Sequence, residues 1–213
     1  MKDNSTIEEW IKKGYRELEE LGRPEEALKA FNKVLEIDPD RVEAWIWKGV
    51  TFKTLGRYQE ALEAIKKAIE LKPDEAIFWS IKGIILFELK CYREALKAFE
   101  KAIDLRPNEA EFWLNKGTVL WVLNRCQEAL ESVEKAIELR PDHVGAWLFK
   151  GQTLYLLNVY EYALYAVKKA LAIRADSPVA FKLQGEINIS LGRFEEALES
   201  FKKAKKLKPI DIL

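Results

Sequence analysis

Apolar residues recur along this chain at helical intervals, and whole helices recur at a longer interval. Between Tyr58 and Leu71, the residues Ala61, Leu62, Ile65, Ala68 and Ile69 fall on one helical stripe, with charge on the rest of the surface. That spacing predicts an amphipathic helix, and Pro73 stops it. From Ala44 to Leu55 a different helix is predicted, apolar round most of its girth and ended by Gly56 and Arg57. The pair then returns. Trp45, Trp79, Trp113 and Trp147 stand 34 residues apart, and Phe181 takes the next place. Gly49, Gly83, Gly117, Gly151 and Gly185 keep the interval, as do Ala61, Ala95, Ala129, Ala163 and Ala197. A fixed period of this size predicts stacked two-helix units. Six are counted, over residues 7–41, 42–75, 76–109, 110–143, 144–177 and 178–211, within one domain spanning 1–213.

The ends of the predicted helices carry their own signals. Asp40 with Glu43, Asn108 with Glu111 and Ser5 with Glu8 read as capping boxes. Pro39, Pro107, Pro141 and Pro209 match Pro73, while Ala175 breaks the series and leaves Ser177 and Pro178 to open the following helix. Lys90, Asn124 and Asn158 stand where Gly22, Gly56 and Gly192 end the first helices, and Asn tolerates the left-handed conformation. Between Gly14 and Gly22 the first unit holds one residue more than the second holds between Gly49 and Gly56.

These residues resemble the tetratricopeptide repeat family. Its pattern asks for a large aromatic, two glycines, an aromatic, alanine, an aromatic, alanine and proline. The second unit supplies Trp45, Gly49, Gly56, Tyr58, Ala61, Ala68 and Pro73, and the first supplies Trp10, Gly14, Gly22, Ala27, Phe31 and Pro39. The chain departs from the pattern at Lys13, Lys48, Lys82, Lys116 and Lys150, where the family usually has leucine. The resemblance covers nearly the whole chain. It implies an all-α fold, a right-handed α-solenoid superhelix of tandem helix-turn-helix repeats whose first helices line a concave face.

Carried onto this chain, the family's groove positions are Ile46, Trp47, Val50, Ile77, Ile81, Ile84, Phe87, Leu114, Trp121, Val122, Leu148, Phe149, Tyr155 and Leu156. The pattern supports an apolar groove independently. Between Ala76 and Leu89 the only polar side chains are Ser80, Lys82 and Glu88, and a helix so apolar needs cover on every side. The end units are more polar, with Glu8, Lys12 and Glu19 in the first and Lys182, Glu186 and Ser190 in the last. The expected function is a protein-interaction scaffold that takes a peptide or amphipathic helix, or a second copy of the chain, in this groove. The alternative is a carrier or sensor of a small apolar ligand held in the same place. The Lys and Asn residues with which some family members clamp a carboxylate are replaced by Ile11, Tyr15, Trp47, Ile77 and Ile81, so that clamp is not expected.

Charge narrows the partners. Lys plus Arg and Asp plus Glu balance at 35 each, which gives no field to favour nucleic acid or a membrane surface. Glu63–Lys67, Glu131–Lys135 and Glu199–Lys203 are spaced for surface pairs. Each Lys of the row from Lys13 to Lys150 follows an aromatic by three residues, so its stem is expected to pack there with its ammonium toward water. Ile69, Ile103, Ile137 and Leu171 share a position that becomes Lys205 in the last unit, within a basic run that reads as a solvated end cap and as the end of the array.

Candidate chemistry is sparse. His143 reads as a cap after Pro141, and Cys91 and Cys126 read as reduced thiols in a cytoplasmic protein. The Asp and Glu residues spread over helix surfaces. The chain is therefore expected to be no enzyme and to hold no metal or cofactor.

Overall fold

A computed structural model describes residues 4–207. Twelve α-helices and one π-turn are present among them. The helices are α1 (Asn4–Tyr15), α2 (Pro24–Ile37), α3 (Val42–Thr54), α4 (Tyr58–Leu71), α5 (Ala76–Glu88) and α6 (Tyr92–Leu105). They continue as α7 (Ala110–Val122), α8 (Cys126–Leu139), α9 (Val144–Leu156), α10 (Tyr160–Ile173), α11 (Pro178–Ser190) and α12 (Phe194–Lys206). The chain divides into two compact units, Met1–Pro107 and Asn108–Leu213. Each unit holds three helix pairs.

Within a pair, the small residues decide how closely the helices approach. A β-carbon on Gly49 would meet Ile65 Cδ1 at 2.6 Å and the Ala61 carbonyl oxygen at 3.4 Å. The glycine therefore makes room for the large residue one turn beyond the alanine, as well as for the alanine itself. Gly14 does the same for Phe31, Gly83 for Phe99, Gly151 for Val167 and Gly185 for Phe201. Phe31 is fully buried and Phe99 is 2% exposed, each contributing about 1.5–3 kcal/mol by leaving water. Between pairs, Ile69 and Ile103 are buried at 9% and 8% exposure, as their repeated position requires.

The turn between the helices of a pair closes with left-handed backbone. Gly56 and Gly192 supply it at φ 70° and 73°, and Asn124 and Asn158 at 60° and 61°. Lys90 adopts it too, at φ 60°, because the backbone bonds of Lys90 to Phe87 O and Cys91 to Leu86 O need it. The extra residue before Gly22 is absorbed as a π-turn at Arg16–Glu20, where the Leu21 N–H reaches back to Arg16 O at 3.1 Å.

The starts of α3 and α7 lie one residue later than the capping boxes placed them. The N-cap of α3 is Arg41 and that of α7 is Glu109, neither with a side-chain cap. Arg41 N–H bonds Asp38 O at 3.1 Å, so Asp40 sits inside a tight turn. Ser5 lies within α1, which already includes Asn4. In the same register His143 and Ser177 do cap, accepting from Ala146 N and Ala180 N at 3.2 Å each. His143 Nδ1 is thus the acceptor, which leaves Nε2 to face Glu111 Oε1 at 3.0 Å.

Two further expectations change. Lys67 turns to Glu70 and Lys135 to Glu138, at 2.7 and 2.8 Å, in place of Glu63 and Glu131; Glu199–Lys203 forms as spaced. On open helix surface either neighbour serves equally. Lys205 is exposed, yet the last pair is not polar throughout: Leu198 is 55% exposed, where Leu62, Leu96, Leu130 and Leu164 are 4–9%. Those leucines are covered by a following pair, and Leu198 meets none among the described residues. Pro209 lies outside the described residues.

Candidate functional site: the open faces of the first helices

Among the described residues α3, α5, α9 and α11 each pack between two second helices, and what remains uncovered on the first helices is the candidate surface. In the unit Met1–Pro107, α3 and α5 touch each other and carry seven of the candidate residues. Ile46, Trp47, Val50, Ile81, Ile84 and Phe87 are half-buried, and Ile77 is 44% exposed. In α5, Ser80, Ile85 and Leu86 are buried at 4%, 0% and 5% exposure, Lys82 is half-buried like Ile81 and Ile84, and Ile77 alone of the isoleucines is exposed. Trp47 and Val50 also pack on Leu18, Ala27 and Phe31 of the first pair. Tyr15, which is 44% exposed, meets Trp47 edge-on at 4.6 Å between ring centroids and belongs to the same surface.

In the unit Asn108–Leu213, Leu114, Trp121, Val122, Leu148, Phe149 and Tyr155 are half-buried, and Leu156 is 53% exposed. Leu114, Leu148, Phe149 and Tyr155 pack on the buried cluster that includes Val133, Leu154 and Val167. Sequence reasoning missed Val179 and Ile189, 68% and 49% exposed on α11, because their apolar character looked isolated in a polar end helix. It also missed Tyr162 and Tyr165 on α10, 70% and 55% exposed. Other second helices carry Glu or Lys at those two positions, and comparing the repeats column by column would have found the change.

The lysine row packs on its aromatics as its spacing suggests, but the ammoniums of Lys48 and Lys82 are partly buried, which lowers their pKa. Lys13, Lys48, Lys82, Lys116 and Lys150 hold their ammoniums 4.7–5.9 Å from the ring centroids of Trp10, Trp45, Trp79, Trp113 and Trp147. The indole N–H groups of Trp45, Trp79 and Trp147 donate to the carbonyls of Pro39, Pro73 and Pro141 at 2.7–2.8 Å. Each of these tryptophans therefore ties its helix to the turn six residues earlier and serves as a platform for a lysine stem.

Other chemistry is thinly represented. Cys91 and Cys126 are free thiols. No group of three or more His, Cys, Asp or Glu side chains fit to hold a metal occurs among the described residues. No described helix is long and apolar enough to cross a membrane.

Paired helices, glycine-spaced crossings and a tryptophan platform at a constant interval are matched by tetratricopeptide repeat models over residues 16–76, 52–110, 82–131, 114–178 and 183–211. The chain belongs to the tetratricopeptide repeat family. Solved structures agree on the fold. The MamA protein is 26% identical, with a TM-score of 0.71 over 81% of this chain and 94% of that one. PilW, a type IV pilus biogenesis factor, is 20% identical with a TM-score of 0.86 over 97% and 95%. YrrB, described as a tetratricopeptide repeat protein with an unusual peptide-binding site, is 24% identical with a TM-score of 0.67 over 87% and 95%. No curated protein matches the chain.

Proposed function

We propose that this tetratricopeptide repeat chain is a non-catalytic interaction scaffold that takes a peptide or amphipathic helix on the open faces of its first helices. The observation that carries the reading is an apolar stripe on α5, where Ile77 is exposed and Ile81, Ile84 and Phe87 are only half-buried at helical spacing. Open isoleucines and an aromatic at helical spacing suit the apolar face of a second helix, laid down by hydrophobic burial. YrrB is described as having a peptide-binding site, and its fold is similar to that of this chain. The free thiols of Cys91 and Cys126 suit a reducing compartment such as the cytoplasm.

Affinity capture from lysate of the source cells, comparing the natural chain with Ile81→Glu and Phe87→Glu, tests the reading. A protein retained by the natural chain and lost by both variants is the expected result. Sedimentation of the pure chain identifies a second copy as the occupant if self-association is lost in the same variants. Binding of a long-chain fatty acid, followed by tryptophan fluorescence, with no protein retained, would replace the scaffold by the small-ligand carrier.

A further inference from the structure

On the face of α5 opposite Ile77, Ile81 and Ile84, Trp79, Lys82 and Leu86 form the floor of a furrow between α4 and α6. The furrow encloses about 380 Å³ and is completed by Leu62, Lys66, Glu94, Lys97 and Ala98. Leu62, Leu86 and Ala98 are buried apolar floor, and the Trp79 ring is one wall. Lys82 stacks on that ring at 4.7 Å. No described carboxylate pairs with Lys82 or Lys97, and Lys66 is held by Glu63 at 2.8 Å.

Equivalent furrows in the same chain do supply a counter-charge. In the fifth repeat Lys150, stacked on Trp147, donates to Glu134 Oε1 of the preceding second helix at 2.7 Å. Lys66 stands where Glu134 does, sixteen residues before its lysine. In the second repeat Lys48 shares a furrow of about 360 Å³ with Glu60 and Glu63, and Lys97 stands where Glu63 does. Glu134, which pairs with Lys150, is thus a lysine in the third repeat, and so is Glu63, which lines the second furrow, while Glu94 keeps the place of Glu60. Burial lowers the Lys82 pKa, and the charge on Lys66 lowers it further. A partly buried ammonium without a counter-ion is costly, and an incoming anion recovers that cost.

The geometry points to the α4–α5–α6 furrow as a receptor for a carboxylate from outside the chain, carried on an acidic segment of a partner protein. The incoming carboxylate takes the place that Glu134 occupies on Lys150, within reach of Lys66, Lys82 and Lys97 and against the Trp79 ring. A carboxylate is favoured because a carboxylate on a helix fills the equivalent place in the fifth repeat. The site lies on the far side of α5 from the apolar surface, so it stands or falls independently of the scaffold reading.

The test is a titration of the full chain with a capped peptide alternating glutamate and alanine, with free glutamate, and with inorganic phosphate. The Trp79 indole resonance is followed by NMR. The peptide is expected to shift that resonance saturably. Lys66→Glu, which recreates the internal pair of the fifth repeat, and Lys82→Gln are each expected to weaken the peptide at least ~10-fold, the scale of one close charge interaction. Phe87→Glu, on the other surface, is expected to leave it unchanged. Circular dichroism of each variant establishes that it is folded. Undiminished binding to Lys66→Glu, no saturable shift in the natural chain, free glutamate binding as tightly as the peptide, or phosphate displacing it would each overturn the proposal.

Discussion

The ring of Phe99 lies over Gly83, so close that a β-carbon on the glycine would come within 2.8 Å of Cε1 and Cζ. Gly83→Ala must push a fully packed ring aside, and the helix-propensity gain of alanine, about 1 kcal/mol, does not offset this. A net loss of about 1–3 kcal/mol in urea unfolding is expected. Gly117→Ala is the control. There the nearest atoms are Ala129 O at 3.2 Å and Ser132 Cβ at 3.5 Å, and a near-neutral change is expected.

Lys90 holds a left-handed backbone that costs a residue with a β-carbon about 1–2 kcal/mol. Lys90→Gly is expected to stabilise the chain by about 1 kcal/mol after the added entropy of the unfolded glycine is subtracted. Gly56→Ala, at φ 70°, is expected to lose a similar amount. Paired thermal melts check both signs.

Glu17 marks the cost of the π-turn. Its Oε2 is buried, accepts no hydrogen bond and has Arg23 Nη1 only at 3.9 Å. Deleting Glu17 restores between Gly14 and Gly22 the spacing found between Gly49 and Gly56. The expected result is a regular α-helical turn and a gain of about 1–3 kcal/mol, the cost of an unsatisfied buried polar group. Chemical denaturation measures the gain, and hydrogen exchange at Leu21 reports the change of turn.

Lys82 gives stability an alkaline pH dependence. Burial and Lys66 hold its folded pKa below the ordinary 10.5, so the unfolded chain binds the proton more tightly. Stability is reduced while Lys82 is charged in both states, and is regained as pH rises through the lowered value toward 10.5. Relative to Lys82→Met, the natural chain is expected to gain stability over that window. Lys48 behaves alike, with Glu60 opposing the effect of its burial. Denaturation at a series of alkaline pH values gives the comparison.

The sequence by itself determined the repeat. A period of 34 residues, a glycine and an alanine at fixed places and a proline stop leave one arrangement, because each two-helix unit can bury its stripe only against the next. It also determined the lysine row, since a spacing of three on a helix brings an ammonium over an aromatic. Tertiary structure decided the rest. Cap register slipped by one because the turn after Pro39 is closed by backbone, with Arg41 N–H on Asp38 O, and a side-chain signature does not report that bond. How much of α5 stays open was decided by packing, which buries Ile85 and Leu86 and leaves Ile77 to solvent. The uncompensated charge of Lys82 is a property of three helices at once, because Lys66, Lys82 and Lys97 become neighbours only when α4, α5 and α6 pack.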